Sequence, residues 1–264
     1  MGRIEATFER LRQRRETGLI LFITAGDPDL DTTEKLIHAL VESGADLIEL
    51  GFPFSDPMAD GPTIQAASER ALAAGATLEK ILEMVCRVRQ HTNIPIVLMG
   101  YYNPVFSYGN QKFAADAARA GVDGLLLVDL PPEEDQELYQ PLQKEGLCLI
   151  RLLAPTTPAV RIDSLVARGE GFLYYVSMTG VTGSRKVDAE AIELEVRELK
   201  TRCDLPVAVG FGISSPEDAR AVGRFADAVV VGSALVKIIA ELGTSPDLIP
   251  QAKTFVRALK NSLS

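Results

Sequence analysis

Short apolar runs recur along the chain, each closed by turn residues and followed by a stretch of helical periodicity. That recurrence limits the possible folds more than any other feature. The runs are Leu19 to Thr24, Leu47 to Leu50, Ile94 to Met99, Leu125 to Val128, Leu147 to Ile150, Phe172 to Val176, Leu205 to Val209 and Ala228 to Val231. Near-continuous runs, as opposed to alternating ones, belong to parallel strands covered on both faces. Amphipathic segments such as Asp31 to Val41, Leu78 to Val88, Pro132 to Gln143 and Glu190 to Lys200 lie between them. Gly44-Ala45-Asp46, Gly121-Val122-Asp123 and Phe225-Ala226-Asp227 mark a helix end feeding a strand three times over.

Eight strand-plus-helix units in 264 residues fit a single-domain α/β fold, a closed (βα)8 TIM barrel. An open doubly wound sheet is disfavoured, because the first strand-to-helix turn lacks the glycine fingerprint of dinucleotide sites. No linker divides the chain, so one domain over 1–264 is expected. A helix from Arg3 to Arg14 would plug the barrel bottom, and the stretch Phe52 to Ala74 adds an extended loop and helix after the second strand.

The charge balance narrows the function. With 27 basic against 36 acidic residues the net charge is −9, the wrong sign for a phosphate backbone, so nucleic acid is not expected as a partner. The three cysteines are scattered and the two histidines, His38 and His91, are ungrouped; a reducing compartment and no metal site follow. There is no secretory signal and no run long enough for a membrane span, so a cytoplasmic, membrane-free protein is expected.

Chemistry in a barrel sits at the carboxyl ends of the strands. Glu49 interrupts the apolar run Leu47-Ile48-Glu49-Leu50 at the top of the second strand. A carboxylate there is destabilising unless paired, hydrogen-bonded or protonated, and burial raises its pKa, which suits a general acid/base. A structural carboxylate tied to a lysine or amide is the alternative. Asp60 closes the stiff loop from Gly51 to Pro62 and is either a second site carboxylate or the N-cap of the helix starting near Pro62. Glycine turns at Gly180 to Ser184, Gly210 to Ser214 and Gly232 to Ala234 suit an anion, and the last two occupy the usual phosphate position of this fold. Every lysine falls on a helix or loop, so imine chemistry is not expected.

The block Ile48-Glu49-Leu50-Gly51-Phe52-Pro53-Phe54-Ser55-Asp56-Pro57-Met58-Ala59-Asp60-Gly61-Pro62 resembles the signature of the tryptophan synthase alpha subunit family. Further resemblance runs through Phe22 to Pro28, Met99 to Pro104, Val128 to Pro131, Gly180 to Gly183, Gly210 to Ile213 and Val231 to Ala234, nearly the whole chain in order. It implies retro-aldol cleavage of indole-3-glycerol phosphate into indole and glyceraldehyde 3-phosphate. Glu49 would be the acid/base at indole C3 and Asp60 would hold the indole N–H. Phe22, Leu98, Tyr102, Leu127 and Leu153 would line the pocket, with Tyr175 beside Glu49. Gly183, Gly212, Gly232 and Ser233 would hold the phosphate, and Thr182 would touch Asp60 on closure. Met178 and Ser184-Arg185-Lys186 depart from many relatives. The resemblance also implies an α2β2 complex, with Pro53 to Asp60, Asn103-Pro104 and Asp129-Leu130-Pro131 facing the beta subunit. No cofactor is expected on this chain, pyridoxal phosphate residing on the partner. A stand-alone lyase and a non-catalytic activator of the beta subunit are the competing readings.

Overall fold

The computed structural model describes residues 1–176, 189–210 and 212–263. Among these, all strands are parallel and lie in one sheet. In chain order they are β1 (Gly18–Thr24), β2 (Leu47–Gly51), β3 (Ile96–Gly100), β4 (Gly124–Leu127), β5 (Cys148–Leu149), β6 (Arg151–Leu153), β7 (Leu173–Val176), β8 (Val207–Gly210) and β9 (Ala228–Val231). The sheet runs β5-β4-β3-β2-β1-β9-β8-β7-β6. Its two end strands are separated in the chain by Ile150 alone, so they are two halves of one barrel strand. The first half pairs with β4 (Leu125↔Leu149), the second with β7 (Leu153↔Tyr175). The eightfold barrel of the sequence reading is therefore closed, with its fifth strand broken at Ile150.

Strand alternation sorts the apolar residues into two layers. Ile20, Leu47, Val97, Leu126, Ile150, Phe172, Tyr174, Ala208 and Ala228 form the barrel interior. Their chain neighbours Leu21, Ile48, Leu98, Leu125, Leu149, Leu173, Val209 and Val229 pack outward against the helices. Helix α1 (Arg3–Arg14) closes the lower mouth: Ile4, Phe8 and Leu11, at helical spacing, enter the interior cluster, and Phe8 meets Phe172 at 5.5 Å between ring centroids. Each such burial contributes about 1.5–3 kcal/mol.

The repeated aspartate before a strand has a physical role. Asp46 accepts the amide of Leu19 at 3.0 Å, Asp123 that of Ile96 at 2.8 Å, and Asp227 that of Val207 at 2.8 Å. Each carboxylate satisfies an N–H at the start of the neighbouring strand. Each is also neutralised: Asp46 by Arg10 and Lys260, Asp123 by Arg3 and Arg89, Asp227 by Lys200. Glu170 does the same for the Leu149 amide at 2.8 Å. The lower rim is thereby fixed, and the upper rim is left to loops.

Helix boundaries follow local chemistry. Helix α2 (Leu30–Glu42) starts where the Asp29 side chain accepts the Thr32 amide at 2.7 Å. The connection from β2 to β3 holds two helices, α3 (Pro62–Ala73) and α4 (Leu78–Val88), the second capped by Thr77. A short helix α5 (Tyr102–Tyr108) follows β3, and α6 (Asn110–Ala120) leads into β4. The outer layer continues with α7 (Gln136–Lys144), α8 (Ala159–Ala167), α9 (Ala189–Arg202), α10 (Pro216–Gly223), α11 (Ser233–Leu242) and α12 (Leu248–Ser262). No helix among the described residues is long and apolar enough to cross a membrane.

Candidate active site

Glu49 lies at the centre of β2, between Leu47, which joins the interior cluster, and Ile48 and Leu50, which face the helices. Alternation therefore turns its side chain into the barrel. It is fully buried, and neither carboxylate oxygen has a hydrogen-bond partner among the described residues. Burial alone pushes its pKa from the usual 4.5 up to about 8. The group is neutral at pH 7 and holds a proton it can deliver.

Above it is a narrow cleft walled by Phe22, Thr24, Phe54, Asp60, Met99 and Tyr101. Asp60 is not a helix cap. Gly61 occupies that position with extended backbone and Pro62 opens α3, so the carboxylate is left for the cleft. Gln65 of α3 holds the loop from below, donating to the Asp60 carbonyl at 2.9 Å. The Tyr101 hydroxyl accepts the Ala59 amide at 2.9 Å and hydrogen-bonds the Asp60 carboxylate, while its ring lies 5.3 Å from that of Phe54. One tyrosine thus clasps the 53–60 loop by ring and hydroxyl. Burial raises the Asp60 pKa to about 6 against the lowering effect of Tyr101, whose own phenol is pushed up to about 12 by burial and by Asp60.

Several residues read from the sequence as pocket lining lie on the other side of the barrel wall. Leu98, Leu127, Leu153 and Tyr175 all belong to the helix-facing layer, and the Tyr175 hydroxyl is bonded to Glu195 of α9. The inward positions are one residue away: Met99, Leu126, Leu152 and Tyr174. Tyr102 is likewise displaced. It starts α5, accepts from Asn110 at 2.9 Å and packs on the outer layer, whereas Tyr101 enters the cleft. The physical reason for the four strand residues is that in a strand buried on both faces a one-residue slip exchanges inside for outside without changing the apolar pattern; Tyr102 lies outward because the chain has already turned into α5.

Tyr174 is the tyrosine near Glu49, whose charge adds to burial in holding the phenol well above its usual range. Its hydroxyl lies over Gly210 where no β-carbon would fit. Phe22 walls the cleft, paired with Glu49 in register and lying over Gly51, where an added β-carbon would be 2.6 Å from the ring. Thr24 was missed; its signal was a hydroxyl residue two positions beyond Phe22 at a strand top.

Gly212 has φ +76, a conformation that favours glycine. Gly232 and Ser233 open α11, whose N-cap, a glycine, has no side chain to cap the first-turn amides. Thr182, Gly183, Met178 and Ser184-Arg185-Lys186 lie outside the described residues. Among those described, every lysine is on a helix and no group of three His, Cys, Asp or Glu residues is arranged for a metal ion. His38 and His91 pack edge to face at 5.5 Å.

Residues 8–263 match the family model described as tryptophan synthase alpha chain. The chain is 56% identical to the tryptophan synthase alpha chain of Citrifermentans bemidjiense, over 100% of this chain and 98% of that one. It is 57% identical to that of Geotalea uraniireducens, over 98% and 97%. Among solved structures, the alpha subunit from Legionella pneumophila superimposes with a TM-score of 0.93 at 42% identity, covering 100% of this chain and 98% of that one. Tryptophan synthase from M. tuberculosis in its aminoacrylate-bound form gives 0.89 at 34% identity, with both chains covered fully.

Proposed function

The chain belongs to the tryptophan synthase alpha chain family, lyases that carry out the indole-3-glycerol phosphate-cleaving half of the reaction, and from that premise we propose how its own residues act. Glu49, protonated, donates to indole C3 and leaves the positive charge on the indole nitrogen. The resulting carboxylate takes the proton from the side-chain hydroxyl next to C3. The carbon–carbon bond then breaks, its electrons return to the ring, and indole and glyceraldehyde 3-phosphate are released with Glu49 protonated again. The ring is the electron sink, which is why the reaction needs neither a lysine imine nor a metal on this chain.

Asp60 accepts the indole N–H and stabilises the ring cation. That role needs it ionised, and a group poised near 6 is ionised at pH 7 while Glu49 is not. Two carboxyls held apart in pKa by their surroundings divide the acid and electrostatic tasks. The phosphate is held by the amides of Gly212, Gly232 and Ser233 together with Gly183. The indole pocket is lined by Phe22, Met99, Tyr101, Leu126, Leu152 and Tyr174. Thr182 reaches Asp60 on closure.

An alpha chain implies a beta-subunit partner. We assign the pair an α2β2 assembly in the cytoplasm, with pyridoxal phosphate on the beta subunit alone. We assign Pro53 to Asp60, Asn103-Pro104 and Asp129-Leu130-Pro131 to that contact; the exposed Met58 lies in the first of these, and the exposed Phe106 lies on α5 two residues beyond the second. The whole chain forms one barrel domain.

The observation that carries this reading is the inward, fully buried Glu49, whose carboxyl has no hydrogen-bond partner among the described residues. The test is indole release from indole-3-glycerol phosphate by wild type and Glu49→Gln, each with and without a beta subunit. Release by wild type that rises with the partner and falls by about 10²- to 10⁴-fold in Glu49→Gln is expected. Equal release with and without the partner would indicate a stand-alone lyase. No release by wild type in either state would leave only a binding role.

A further inference from the structure

Within the cleft the Thr24 hydroxyl is shut off from water yet has no partner among the described residues. Thr24 ends β1 two residues beyond Phe22, so alternation turns its side chain inward, and it stands in register with Gly51, which carries no side chain to crowd it. The residue is 2% exposed and its Oγ1 makes no hydrogen bond to any described group. A buried hydroxyl in that state is destabilising, and valine would keep the shape without it. A polar atom kept at such a position calls for a partner that no described group supplies in the ligand-free arrangement.

Asp60 borders the same narrow cleft. Its carboxylate has a side-chain partner in the Tyr101 hydroxyl, whereas an ionised carboxylate offers about four acceptor positions. Tyr101 approaches from the end of β3 and Glu49 lies below on β2. Of these, only Tyr101 brings an O–H donor to Asp60 in the ligand-free chain.

We propose that Thr24 is a positioning residue for the cleavage reaction: with substrate in the cleft, its hydroxyl donates to the Asp60 carboxylate and holds it against the indole N–H. The proposal rests on the role given to Asp60 above. Two O–H donors, from Tyr101 and Thr24, then fix the carboxylate in one orientation and favour its ionised form. Ligand binding thereby supplies the arrangement that the free protein lacks. Losing one donor lets burial dominate again, so Asp60 in the complex would take up its proton at higher pH.

The test compares Thr24→Val, which removes only the hydroxyl, with Thr24→Ser, which keeps it. Thr24→Val should lower kcat for indole release by about tenfold or more, as expected for a hydrogen bond to a charged group. It should also move the acidic limb of the kcat–pH profile to higher pH while leaving Tm equal or raised. Thr24→Ser should recover most of kcat and return the limb. Wild-type kcat with an unmoved limb in Thr24→Val would overturn the proposal. So would a Thr24→Ser variant impaired as much as Thr24→Val with Tm lowered in both, because packing would then explain the loss. Full activity in Asp60→Asn would instead strike the role of Asp60, and this proposal with it.

Discussion

Asp46 and Glu49 stand three residues apart, one entering β2 from below and the other in its middle, and both are shut off from water, 5% and 0% exposed. Asp46 accepts the Leu19 amide and faces Arg10 and Lys260 at 3.0 and 2.5 Å. Glu49 has no such partner among the described residues. The contrast extends around the barrel. At the lower rim Asp123, Asp227 and Glu170 all spend their oxygens on strand amides. At the upper end Glu49 and Thr24 are left unpartnered by the described groups, and Asp60 keeps acceptor capacity to spare. A paired buried carboxylate holds strands in register; an unpaired one is destabilising and holds a proton. One end of the barrel is built for stability and the other for chemistry.

The comparison breaks most visibly if the two carboxylates are removed in turn. Asp46→Ala is expected to lower stability by roughly 2–3 kcal/mol, through the lost bond between a charged acceptor and a buried amide, and to leave the chemistry of the folded enzyme intact. Glu49→Gln should do the reverse, abolishing most of the activity while stabilising the fold at high pH. The sign follows from proton linkage. Native Glu49 keeps its proton up to about 8, whereas the unfolded chain releases it near 4.5, so wild-type stability contributed by this group falls as pH rises between those values. Thermal unfolding of wild type and Glu49→Gln across that window should give coincident pH dependence below it and a growing advantage for the variant through it. A parallel pair of curves would contradict the burial account.

A smaller effect sharpens the comparison at the cleft itself. Tyr101→Phe loses the hydroxyl that holds both the Ala59 amide and the Asp60 carboxylate, and about a tenfold fall in kcat/KM for indole release is expected. Tyr102→Phe loses only a half-buried bond to Asn110 and should stay within about twofold of wild type. If the two variants behave alike, the inward assignment of Tyr101 is wrong.

Much of this was legible in the sequence, because local chemistry repeats itself. Helices α1 and α4 start and stop where their periodicity indicates, and α3 starts at its proline. Glu49 was conspicuous as the carboxylate inside an apolar run. The inward face of the other strands was not. Alternation is invisible when residues such as Val97 and Leu98 are both apolar and both buried, so nothing in β3 or β4 distinguishes the lumen from the helix layer. The one available signal was indirect: Gly210 leaves room for a large neighbour, and the inward Tyr174 fills it. The break at Ile150 was hidden for a related reason, since Arg151 reads as the end of a strand. It instead continues the strand outward to Asp135, with which it pairs at 2.6 Å beneath α7.

The most direct test is the protonation state of Glu49 itself. Side-chain ¹³C resonances of glutamate-labelled protein, with the Glu49 signal assigned by its loss in Glu49→Gln, would be followed from acid through neutral to alkaline pH. The expected result is a carboxyl still protonated at pH 7 that titrates at about 8. A resonance already ionised at pH 7, with a midpoint near 4.5, would mean that Glu49 finds a partner inside the barrel and is not the proton donor of the cleavage reaction.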